Sequence, residues 1–153
     1  YGASTPHLNQ NPALQEKINQ ADYLIVGSNV NNSAKLGTSS ADHYVPAEVF
    51  RQANRTGKKS VLLSLRNPYD VAVQPDADAQ LLVYGFKGDP NGPDSEAGNT
   101  KSAGPNLPAG IRAIFGEFVP QGKLPVDVPK FKDGTFQTDL YREFGDGFRN
   151  WNK

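Results

Sequence analysis

The chain alternates short, nearly unbroken apolar runs with stretches of helical spacing. The runs are "DYLIVG" (22–27), "KSVLLSL" (59–65) and "AQLLVYG" (79–85), two of them closed by glycine. Runs this short with so little polar alternation predict buried strands. Between them the spacing changes. "PALQEKINQA" (12–21) predicts a helix, with Asn11 as N-cap, Pro12 in the first turn, and Leu14, Ile18 and Ala21 on one face. "PAEVFRQANRTG" (46–57) predicts a second, opened by Pro46, striped by Val49, Phe50 and Ala53, and stopped by Gly57. "PYDVAVQ" (68–74) reads as a short helix or turn, and "LPAGIRAIFGEF" (107–118) as a third helix. "QGKLPVDVP" (121–129) reads as extended, with Leu124, Val126 and Val128 alternating. Residues 1–11 form an irregular lead-in, 28–44 and 86–105 are loops, and the aromatic-rich remainder after 129 is irregular.

Helices interleaved with continuously apolar strands are the pattern of a parallel sheet covered on both faces. The expected fold is therefore α/β: one domain over 1–153, a three-layer sandwich with a mostly parallel, flavodoxin-like sheet. In such sheets ligands sit beyond the carboxyl ends of the strands. Those ends are Gly27-Ser28-Asn29, Arg66 to Asp70, and Gly85-Phe86-Lys87. Arg66, Asn67, Tyr69 and Asp70 are thus candidates for a cleft or docking surface. The same cluster also has a local purpose. Asn67-Pro68 starts a turn, Pro68 suits the first helical position, and Asp70 in the first turn is favoured by the helix dipole.

Composition narrows the classes. Lys+Arg and Asp+Glu are both 16, so no basic excess points to nucleic acid or an anionic membrane. The absence of cysteine excludes disulfides, thiol nucleophiles and thiolate metal sites. No apolar run approaches the roughly 20 residues of a membrane span. The sequence begins at Tyr1 and has no Met, as expected of a processed product or a piece of a longer protein. No G-x-G-x-x-G follows a strand, and there is no P-loop and no G-x-S-x-G. A small independent enzyme on a flavodoxin-like sheet would need a phosphate loop of this kind, so no cofactor is expected. His43 follows Asp42, and chain neighbours point apart, so it and His7 read as exposed loop residues. "DPNGPDSE" (89–96) offers Asp89, Asn91, Asp94 and Glu96 as oxygen ligands. It departs from a calcium loop, because Pro93 takes the fifth position and the sixth is not glycine. A solvated loop without metal is expected there. The sequons at Asn31 and Asn54 matter only in a eukaryotic secretory host.

Four stretches taken in order carry a further signal. "SVLLSLRNPYDV", "ADAQLLVYGF", "PNLPAGIRAIFGEFVPQGKLPVDVP" and "YREFGDGF" resemble the C-terminal α/β domain of glycoside hydrolase family 3, most closely its bacterial β-N-acetylglucosaminidase branch, with β-glucosidases as further relatives. Gly122-Lys123-Leu124-Pro125-Val126 is the most specific of these motifs, and the resemblance runs over about 12–148. It implies an accessory domain that is non-catalytic by itself. Such a domain docks on an N-terminal (β/α)8 barrel, which carries the catalytic machinery, and shapes one rim of the glycan cleft. Retaining hydrolysis needs two carboxyl groups about 5 Å apart. In the β-glucosidase branch a loop of this domain supplies an acid/base glutamate; here 28–44 has no glutamate, Glu48 falls in a helix, and Glu96 lacks the surrounding pattern. The resemblance further implies a β-glycosidase parent and a secreted or cell-envelope location. Family domains have more extended structure before the first helix, so an open sheet edge or apolar face is expected here, covered by the barrel or by another copy of the chain. The alternative is a stand-alone carbohydrate-binding or scaffolding module, with Tyr141, Phe144, Phe148 and Trp151 as stacking candidates.

Overall fold

The structure, a computed structural model, describes residues 6–85 and 104–148, and within 86–103 only the backbone of two short strands. Helix α1, Pro12–Gln20, begins as predicted: the Asn11 side chain accepts from the Leu14 N–H at 3.1 Å, and Pro12 takes the first position. Strand β1, Tyr23–Ser28, follows at once. The lead-in is not wholly irregular. Leu8–Gln10 forms a 3-10 turn, and the Leu8 side chain is buried in the core.

The loop expected over 28–44 is shorter than that. Ser33–Leu36 is a 3-10 turn, and helix α2, Ala41–Arg55, starts five residues before Pro46. The Ser40 carbonyl accepts from both His43 and Tyr44 N–H at 2.9 Å, which nucleates the first turn. Pro46 lies inside the helix and is buried with Ala41 and Val45. An interior proline forfeits one helical hydrogen bond, and here the burial of that apolar turn offsets the loss.

Strand β2 is Lys59–Ser64, a 3-10 turn covers Pro68–Val73, and β3 is Ala79–Leu82. β3 ends before the predicted residue 85 because Tyr84 turns the chain with φ of +52°. β4, Ser95–Glu96, and β5, Asn99–Thr100, form an antiparallel pair. Helix α3, Asn106–Ile114, also stops short of its predicted end. Gly116 is left-handed at φ +78°; its N–H bonds the Ala113 carbonyl and the Glu117 N–H bonds that of Arg112, a Schellman stop. The C-terminal part is not irregular. β6, Val128–Lys132, and β7, Thr135–Arg142, form an antiparallel hairpin. Asp133 and Gly134, at φ +51° and +81°, make its two-residue turn.

The fold is thus a small single α/β domain with a three-stranded parallel sheet in the order β1-β2-β3, plus antiparallel two-stranded pairs. One face of the parallel sheet carries Val26 and Leu62. It packs with Ile18 of α1, Val49 and Phe50 of α2, Val71, and Leu124 and Val128 from the C-terminal part. The other face carries Leu63 and Leu81, and α3 lies on it where Gly110 meets Val83, Leu63 and Leu81. The central strand β2 is buried on both faces beyond Lys59, as its continuous apolar run predicts. β1 is not: Tyr23 is 70% exposed and Ile25 37% exposed, with Leu24 half-buried between them and Val26 and Ser28 buried beyond. Among the described residues the expected cover of both faces stops at β1, because α3 reaches only the β2–β3 half of its face. Among the described residues no helix is long and apolar enough to cross a membrane.

Gly110 is the contact that lets α3 lie close. A Cβ there would stand 2.6 Å from Val83 Cγ1 and 3.3 Å from Leu63 Cδ1. Gly110→Val should overpack this layer at a cost of about 1–3 kcal/mol, lowering the melting temperature by roughly 5 °C. An unchanged thermal melt would show that α3 does not bear on the sheet at this point.

Candidate functional site

The carboxyl ends of the parallel strands meet the 3-10 turn that starts at Pro68. β1 ends in Ser28 and β2 in Ser64, both buried. The Leu65 N–H bonds the Ser28 carbonyl at 2.8 Å and the Val83 N–H bonds that of Ser64 at 3.0 Å, so the pairing runs to the rim. The Asp70 side chain turns inward and is 1% exposed. Its Oδ1 lies 2.7 Å from Ser64 Oγ, which is also 3.1 Å from the Asn67 carbonyl. A serine hydroxyl has one proton, so it can donate fully to only one of the two acceptors at a time. A neutral Asp70 removes the conflict: the carboxyl donates to Ser64 Oγ, and Ser64 donates to Asn67.

The electrostatics favour that form. Burial raises the Asp70 pKa above the usual carboxylate value, and the Ser28 and Ser64 hydroxyls and the turn's own N–H groups only partly oppose it. The Ser28 hydroxyl acts on the carboxyl, yet among the described residues Oδ2 has no hydrogen bond of good geometry. Oxygens of Asn29 and Gln74 are likewise buried without a donor there. Raised carboxyls in clefts serve as general acids. Asp70, however, is shielded from solvent, and the groups that act on it are hydroxyls and amides rather than a second carboxylate. Its place is that of a clasp between two strand ends and the following turn.

The other three candidates stand around it. Arg66 is exposed and makes no ion pair or hydrogen bond among the described residues. Asn67 is half-buried at the N-cap of the turn and contributes its carbonyl rather than its side chain. Tyr69 is half-buried and meets Phe136 edge to face at 5.3 Å, and Phe136 meets Phe131 at 5.1 Å, which seats the β6–β7 hairpin against the turn. Tyr84 joins this rim unforeseen. Burial raises its phenol pKa, and Tyr69 adds to the shift. The aromatic residue before a glycine at the end of a predicted strand was the available signal.

Two of the quoted motifs meet behind the rim. The Leu124 N–H bonds the Asp146 carbonyl at 2.7 Å, and the Gly145 N–H bonds the Leu124 carbonyl at 2.9 Å. The Phe144 N–H bonds Asp127 Oδ1 at 2.7 Å. Gly147 also lies against Gly122 and Lys123, so Gly122–Val126 and Phe144–Phe148 form one clasp.

The histidines divide: His7 is exposed outside any helix, as expected, whereas His43 is not in a loop. His43 lies on α2 with Nδ1 2.7 Å from the Leu36 carbonyl, while Asp42 pairs with Lys35, so no Asp42–His43 dyad forms. His7 stacks on Tyr44 and lies 2.7 Å from Glu48 Oε1, whose Oε2 accepts from the Leu8 N–H. Burial acts to raise the Glu48 pKa, but the Leu8 N–H, His7 and the charge of Arg51 together outweigh it and hold the carboxyl low. Residues 41 apart in sequence make this pair, and no local motif could have announced it. Among the described residues no three His, Cys, Asp or Glu groups converge as a metal site. The Asp89–Glu96 loop and Trp151 lie outside the residues whose side chains are described. Tyr141 is half-buried, with its hydroxyl on Gln80 and Arg142 over its ring, while Phe144 and Phe148 are exposed. No family model matches this chain, and no curated protein is significantly similar to it.

A raised folded pKa means that Asp70 contributes stability at low pH. That contribution is lost as pH rises from the unfolded value, about 3.9, through the raised folded value. Glu48 and Asp78, held low, act in the opposite sense and lose their contribution as pH falls. Asp70→Asn supplies the donor that Ser64 needs and carries no charge. It should hold or raise stability at pH 7 and remove the Asp70 part of the pH profile, read as the difference between wild-type and variant urea melts from pH 4 to 8. A variant destabilised by more than about 1 kcal/mol at pH 7 would mean that the folded state needs the carboxylate.

Proposed function

We propose that this chain is the accessory α/β domain of a family 3 glycoside hydrolase of the bacterial β-N-acetylglucosaminidase kind. It is non-catalytic alone, docks on a (β/α)8 barrel and forms one rim of the glycan cleft. The observation that carries this reading is the open half-face of the sheet. Tyr23 and Ile25 project from β1 into solvent, although the next strand is buried on both faces. Exposed apolar side chains in register with a buried layer mark a surface that another body covers. Phe115, Phe118 and Val119, just past α3, add exposed apolar area. On this reading the sheet is the centre of a flavodoxin-like three-layer sandwich whose cover over β1 comes from the docked barrel. The clasp between Gly122–Val126 and Phe144–Phe148 supports the resemblance, since both motifs take part in one structural unit.

Arg66, Tyr69 and Tyr84 face the cleft in this proposal, with Asp70 holding their backbone rather than touching sugar. A secreted or cell-envelope location goes with the parent enzyme. The isolated chain should release no nitrophenol from the 4-nitrophenyl β-glycosides of N-acetylglucosamine or glucose. The endogenous protein, captured with an antibody to this chain, should weigh more by a barrel of about 250 residues and should hydrolyse the first substrate. Hydrolysis by the chain alone, or an endogenous species of only 16.6 kDa, would overturn the proposal.

A further inference from the structure

A second polar surface lies away from this rim, on the outer side of α1 and α2. The last two turns of α2, the Leu8–Gln10 turn and Gln15 of α1 enclose an open groove of about 670 Å³. That volume is in the range of small-molecule sites. Arg51 and Arg55 line it, one helical turn apart, so their charges repel each other. The nearest counter-charge, Glu48, acts on Arg51 through space without an ion pair and is hydrogen-bonded to other groups. Glu48 also lines the groove, but its Oε1 faces His7 and its Oε2 takes the Leu8 N–H. Among the described residues neither guanidinium has a carboxylate within 4 Å.

The arrangement is partly fixed in advance. Arg55 Nε bonds the Arg51 carbonyl, leaving its terminal N–H groups for another acceptor. Gln15 Nε2 is held by the Leu8 carbonyl and Asn54 Nδ2 by that of Asp76, so two of the surrounding amides have set orientations. A helix C-terminus ordinarily repels anions. Here the carbonyls of Gln52 and Ala53 are capped by Thr56, and Lys58 bonds Ala53 as well. Paired guanidiniums bind carboxylates and phosphates through two parallel hydrogen bonds. The amides Gln15, Gln52 and Asn54 suit hydroxyls on the same molecule.

We propose that this groove binds a small polyhydroxylated acid, its carboxylate or phosphate held by Arg51 and Arg55. The site is independent of the cleft rim and of the docking face, so it stands or falls apart from the glycosidase reading.

Calorimetric and NMR titrations of the whole chain with glucuronate, glucose 6-phosphate, glucose and inorganic phosphate test it at low salt. At least one of the two sugar acids should bind, with shifts at Arg51, Gln52 and Arg55, and glucose should not. The tighter of the two acids tells whether carboxylate or phosphate is the anion. Arg51→Gln with Arg55→Gln should weaken binding at least tenfold without changing the thermal melt. Arg51→Lys with Arg55→Lys, which keeps the charge, should recover only part. Equal binding of glucose, binding of inorganic phosphate alone, no binding at all, or acid binding untouched by the glutamine pair would each overturn the proposal.

Discussion

A parallel sheet satisfies its backbone within the strands but leaves two apolar faces, and each must be covered by something. Three strands are few enough that one helix more or less decides whether a face is dry. Here the Val26–Leu62 face is closed by α1, α2, the turn after β2 and the start of the C-terminal hairpin. Among the described residues the Leu63–Leu81 face is closed by α3 alone, and only as far as β2. The rest of the molecule follows from this imbalance. Gly110 has to be glycine-small for α3 to approach, and Tyr23 and Ile25 on β1 stay in water. Burying a side chain of that size contributes about 1.5–3 kcal/mol, a large unused gain for a domain of this size and a reason for a partner to take it.

The carboxyl end of the sheet shows a different economy. Three chain segments converge on one buried carboxyl, and the hydroxyl of Ser64 links it to the backbone at Asn67. With its proton, Asp70 completes that chain of hydrogen bonds; without it, two acceptors compete for one donor. The polar cluster that ends β2 is therefore first a local structural device. What it leaves exposed, Arg66 and the edges of Tyr69 and Tyr84, is the chemistry available to a neighbour.

Much of this was legible in the residues. Continuous apolar runs located all three parallel strands, and Asn11-Pro12 located the start of α1 to the residue. The start of α2 was missed because Pro46 reads as a first-turn residue, whereas Ser40 and the buried Ala41 and Val45 govern the turn before it. The β6–β7 hairpin was missed although Asp133-Gly134 is a strong turn signal; Pro129 and the charged residues around it obscured the strands. Of the candidate residues, the sequence placed Asp70 correctly in a first turn but could not tell that it points inward, since burial is decided by Ser28 and Ser64 on other strands. The Glu48–His7 contact is a tertiary fact with no local trace, and although an open edge or apolar face was expected, which strand would carry it was not legible.

The central claim is that the open half-face of β1 is covered in the native protein. Hydroxyl-radical footprinting of Tyr23 and Phe115 tests it most directly, with the isolated chain and the endogenous protein labelled side by side. Both side chains are about two-thirds exposed in the chain alone, at 70% and 68%. The account predicts that Tyr23 oxidises several-fold more slowly in the endogenous protein and that Phe115 follows it. Equal reactivity of Tyr23 in the two samples would contradict it, for the face would then be open in the native protein as well.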